Sequence, residues 1–104
     1  MLQRPSNEEY QPYHETYIGL VGEGDVTVLL ENQLARTTEL LSEISEMQAD
    51  FRYAEGKWSL KEVVGHISDN ERVMSYRLLR AARGDRTPLA GYDQDVFMLS
   101  LIHI

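Results

Sequence analysis

The chain has no cysteine, which removes disulfides, thiolate metal sites and cysteine nucleophiles from consideration. No apolar run reaches the roughly 18 residues that a bilayer span needs. The opening residues, Met1 to Glu9, offer no apolar stretch to serve as a secretion signal, so the cytoplasm is the expected compartment and no membrane partner is expected. Positive charge is in deficit: 10 basic residues stand against 17 acidic ones, a net charge of -7. Such a chain repels a polyanion on average, so nucleic acid is not expected as a partner. There is no glycine-rich phosphate loop, no His-Glu-x-x-His, no serine elbow and no internal repeat.

What remains is an ordinary globular composition in 104 residues, the size of one domain. Residues 1–24 read as an extended lead-in, because Pro5, Pro12, Gly19, Gly22 and Gly24 interrupt any helix. Tyr10, Tyr13 and Tyr17 make it too aromatic for a free tail, and it is expected to pack across a pair of helices. The first long helix is expected over 25–47, with Asp25 as its N-cap. Val26, Leu30, Leu34, Thr37, Leu41 and Ile44 step by three and four, which is a helical stripe facing a core. Ser59 followed by Glu62 is a capping box, and it predicts a second long helix over 59–83 that ends at Gly84. Residues 92–98 are long enough to begin a third helix. The fold class is therefore all-α, with two long helices whose apolar sides need further helices to cover them.

His66 lies inside the second helix, beside its apolar stripe, and is the first candidate for chemistry. An imidazole there is either a satisfied core histidine or a metal ligand. Its neighbour Gly65 costs roughly 1 kcal/mol relative to alanine in a helix interior, which suggests that something approaches closely. Asp69 and Asn70 lie about one turn on, where they can orient the ring or assist chemistry, and Glu71 is near. His14 sits among the lead-in tyrosines and is expected at the surface. Arg72, Arg77, Arg80, Arg83 and Arg86 cluster along one stretch; they read as a solvated helix face, with a small anion-binding patch as the alternative.

Four segments together resemble a known family. They are Arg4-Pro5 with Tyr10, Pro12, Tyr13 and Tyr17; Gly56-Lys57-Trp58-Ser59; Gly65-His66 with Asp69, Glu71 and Arg72; and Arg83-Gly84-Asp85 running through Pro88 to Asp95. In combination they resemble the DinB-like superfamily, which includes metal-dependent hydrolases and bacillithiol transferases. The resemblance covers nearly everything up to residue 98. It implies a four-helix bundle, homodimeric when intact, of which this chain holds about the first two long helices. It also implies a zinc or nickel site of three histidines, in which His66 matches the ligand on the second helix. The other two form a His-x-x-x-His pair on a later helix, and no such pair occurs here. The implied activity is metal-dependent hydrolysis or thiol transfer on a small-molecule substrate. The catalytic candidates are Asp69 and Asn70, and this chain alone is expected to be inactive. The competing reading is a non-catalytic stress-response or binding module.

Residues 99–104, Leu-Ser-Leu-Ile-His-Ile, are what the codon string of a common transposon adapter would encode, so they are expected to be non-native and His103 is not recruited as a ligand. Resequencing the genomic locus is expected to show the reading frame departing from this sequence after codon 98; a natural stop codon after Ile104 would refute the expectation.

Overall fold

A computed structural model describes residues 2–101. Among these residues there are helices and no strands, and the chain divides into two compact units, 1–44 and 45–104. No helix among them is long and apolar enough to cross a membrane.

In the first unit the lead-in is less extended than its glycines and prolines predict. A 3-10 turn at Pro12–His14 runs into a short helix α1, Glu15–Ile18. Arg4 reaches across the segment: its guanidinium donates to the carbonyls of Ile18, at 2.8 Å, and Val21, at 2.6 Å. Those carbonyls lie at and beyond the end of α1, where orphan acceptors need donors. Tyr17, Leu20 and Val21 share a groove with Leu30 and Leu40 along one helix, α2 (Val26–Ser42), rather than lying across a pair.

Helix α2, Val26–Ser42, starts where Asp25 accepts the Thr27 backbone N–H at 2.9 Å. It stops short of the expected residue 47. The reason is a second capping box that periodicity does not see. Ser45 accepts the Gln48 N–H while the Gln48 side chain accepts the Ser45 N–H, and Ser45 is held extended (ψ 161°). That backbone cannot continue a helix, so Met47 begins anew in α3, Glu46–Asp50, of the second unit. The middle of the stripe expected to face a core is on the surface, with Leu30 58% and Leu34 69% exposed, while Val26, Leu41 and Ile44 at its ends are half-buried. Its unit holds no second long helix to lie over it.

The second unit is organised around α4, Leu60–Ala82, about 35 Å long at 1.5 Å per residue. The capping box read from the sequence is present: Ser59 accepts the Glu62 N–H at 3.3 Å, and Glu62 accepts the Ser59 N–H at 3.0 Å. Arg52 clamps the same carboxylate with both guanidinium nitrogens, each at 2.5 Å, and also donates to the Lys57 carbonyl at 2.7 Å. Next to it, Lys61 joins Glu46, at 2.7 Å, and Asp50, at 3.1 Å, whose four-residue spacing puts both on one face of α3. Ser59 is the one fully buried residue among those described, at 4% exposure; no apolar side chain there is as covered.

At its far end α4 closes in a Schellman motif. Gly84 takes a positive φ of 69°, its N–H bonds the Ala81 carbonyl, and the Asp85 N–H bonds the Arg80 carbonyl. The chain then turns back. Asp93 caps α5, Gln94–Ser100, by accepting the N–H groups of Asp95 and Val96. Tyr92 meets Asn70 and Leu101 meets Gly65, so α5 runs antiparallel along α4 toward its N-terminus.

Two carboxylates in these joints titrate low. Glu62 is held below its ordinary 4.5, first by Arg52, and Asp85 is held at about 2, against 3.8, first by the Thr87 N–H, with the Thr87 hydroxyl and Arg80 adding to it. A carboxylate whose folded pKa is depressed gives stability that is complete above its unfolded pKa and is lost as pH falls through its folded one. Far-ultraviolet circular dichroism is therefore expected to show helicity declining as pH drops from about 4.5 to about 2. Glu62→Gln should start lower and decline less; a mutant curve parallel to wild type throughout would contradict the assignment of Glu62.

Candidate functional site

His66 lies two turns inside α4, and its presentation begins in the loop before that helix. Gly56 adopts a positive φ of 73° and turns the chain; the Lys57 carbonyl is then fixed by Arg52. This sets Trp58 as the residue just before the Ser59 cap. Its indole lies over the His66 ring, centroids 5.2 Å apart and planes tilted by 53°. His66 is half-buried, and its Nδ1 is fully covered with no hydrogen-bond partner. A buried nitrogen left unpaired costs on the order of 1–3 kcal/mol, so this atom is poised for a partner.

Beside it, a Cβ built on Gly65 would lie 2.5 Å from Leu101 Cδ2 and 2.6 Å from Cδ1, so in this chain the leucine occupies the space a side chain would take. A group does approach Gly65 closely, but it comes from the 99–104 segment expected to be non-native, so it does not explain the glycine.

The other sequence candidates divide. Asp69 is half-buried and pairs with Arg72 at 3.4 Å. Asn70 is half-buried and accepts from the Tyr92 hydroxyl at 3.3 Å, with the Tyr92 ring in turn 5.0 Å from that of Phe97 at a tilt of 43°. Glu71 is exposed. His14 is exposed and edge-on to Tyr13, far along the chain in the other unit. His103 lies outside the described residues. Trp58 and Tyr92 were not singled out from spacing. The signal for Trp58 was its position before a capping box, where an apolar residue usually packs on the helix.

The arginine cluster divides: Arg72, like Arg83 and Arg86, is exposed as a solvated face requires, whereas Arg77 and Arg80 are drawn into contacts. Arg80 is half-buried, pairs with Asp85, donates to the Thr87 carbonyl at 2.7 Å and lies over the Tyr76 ring at 5.4 Å. Arg77 donates to the Ala90 carbonyl at 3.1 Å. Both are spent on tying the 85–93 loop back to α4.

As a metal site the fit is partial. A covered, unpartnered imidazole nitrogen suits one ligand position. Among the described residues, however, no group of three histidine, aspartate or glutamate side chains is assembled to hold an ion.

The sequence pattern of the DinB superfamily matches residues 29–96, well over half the chain. The chain belongs to the DinB superfamily. The match takes in most of α2, all of α3 and α4 with Trp58 and His66, and the loop to α5, and the all-helical architecture agrees with the DinB-like assignment. Comparison with curated proteins and with solved structures gives no match.

Within this DinB chain the Gly65 contact makes a sharp prediction. Gly65→Ala gains roughly 1 kcal/mol of helix propensity in α4 but displaces Leu101. Amide exchange is expected to slow in α4 around residue 65 and to accelerate over 94–100; unchanged protection in α5 would show that Leu101 does not need the space.

Proposed function

We propose that this DinB superfamily chain supplies His66 as one ligand of a divalent metal, zinc or nickel, in a metal-dependent hydrolase or thiol transferase acting on a small molecule. The supporting observation is the covered and unpartnered Nδ1 of His66, framed by Trp58. When bound, a divalent metal lowers the pKa of an attached water or thiol toward neutrality and presents it as a nucleophile. The chain's own residues contribute orientation. Asn70, one turn from His66 and braced by Tyr92, is placed to hydrogen-bond a substrate or a bound water. Asp69, held by Arg72, is the carboxylate available for proton transfer. Because the described residues assemble no three-ligand group, the remaining donors would come from residues other than these. A cytoplasmic, homodimeric protein without nucleic-acid partners completes the reading.

The lack of an assembled ligand set among the described residues favours the second reading, a non-catalytic helical binding or stress-response module. Metal analysis decides between them. Zinc and nickel are measured in the protein produced from its own genomic locus, and in its His66→Ala variant. Losing a residue that merely orients a ligand costs roughly 10–100-fold in affinity, so losing the ligand itself should cost at least as much. Equal metal content in the two proteins rules out His66 as a ligand; no metal in either removes the enzyme reading.

A further inference from the structure

We infer that Trp58 is the positioning residue of this site: its indole holds the His66 imidazole in one orientation, with Nδ1 turned into the fold. The inference rests on the reading of His66 as the binding residue. A metal-binding histidine is ordinarily oriented by a hydrogen bond from its second ring nitrogen to a carboxylate or carbonyl. Here that device is not in use. Among the described residues neither ring nitrogen of His66 is hydrogen-bonded, and the nearest sequence candidate, Asp69, is paired with Arg72 instead. Orientation must then come from packing, and the ring set against His66, tilted by 53°, is that of Trp58.

The geometry supports more than a helix cap. A residue in the position of Trp58 usually staples onto the fourth residue of the helix, which is Val63. Val63 remains partly exposed, at 38%, while the indole extends a further turn to His66. The indole is itself fixed at its base. Its backbone lies between the Lys57 carbonyl held by Arg52 and the buried Ser59, and that pair of anchors sets where the ring starts. An imidazole packed against such a ring has less rotamer freedom left to lose when it binds.

The test is nuclear magnetic resonance of the His66 ring in the full chain, with Ni²⁺ as the probe. In the unmodified protein, cross-relaxation between indole and His66 ring protons is expected; its absence overturns the inference without any variant. Trp58→Phe keeps an aromatic face and should retain a single, ring-current-shifted His66 resonance. Trp58→Leu keeps apolar bulk and the Ser59 cap, and should lose that shift. In Trp58→Leu, broadening of the His66 resonance should need about tenfold more Ni²⁺, the lower end of what losing an orienting partner costs. An unchanged shift and an unchanged Ni²⁺ midpoint in Trp58→Leu overturn the inference. Ni²⁺ that leaves His66 sharp in the unmodified protein sinks the ligand reading instead, and the indole–imidazole cross-relaxation still decides whether Trp58 orients the ring.

Discussion

The second unit depends on one carboxylate. Glu62 accepts from the Ser59 N–H behind it and from both arms of Arg52 across from it. Each bond alone is common; together they fix three things. The cap sets where α4 begins, and so which residues share a face two turns later. Arg52 ties in the Lys57 carbonyl and so fixes the loop that delivers Trp58. The salt link of Lys61 to α3 then holds the preceding helix against the same first turn. A half-buried joint of this kind is polar because the unit has little else: no apolar side chain among the described residues is fully covered.

How much of this could be read beforehand depends on whether the signal was local. The caps at Asp25 and Ser59 were legible because a cap is a matter between residues two or three apart, and both are present. The break before α3 had a local signal of the same kind, Ser45 with Gln48. It was overridden by Ile44 and Met47, which fit a continuing stripe. Periodicity reports which face a residue would occupy if the helix went on, and says nothing about whether it does. Two of the arginines failed for a different reason. Arg77 and Arg80 look like surface charge because their partners, the carbonyls of Ala90 and Thr87, belong to the backbone of a loop and have no side-chain signature.

At the candidate site, His66 was legible through the pattern around it and not through spacing, since one histidine on a helix carries no geometry. A close approach at Gly65 was legible; the identity of Leu101 as the approaching group was not. Asp69 sits on the expected face, yet it is drawn to Arg72 three residues on, a pairing that the i, i+3 spacing allows and that nothing in a one-dimensional reading ranks against the imidazole. The tryptophan next to the cap was visible as a staple, but its reach past Val63 depends on ring size and on the tilt of the loop.

Trp58 is the only tryptophan in the chain. Its indole is half-buried and packed at a tilt against the histidine at the centre of the site, while six tyrosines are distributed elsewhere. Light absorbed at the red edge of the aromatic band is therefore emitted from a single known place. The protein carries a native optical probe within van der Waals reach of His66, so that a change in the occupancy, polarity or order of that corner is written into its intrinsic fluorescence, with no label and no other chromophore to disentangle.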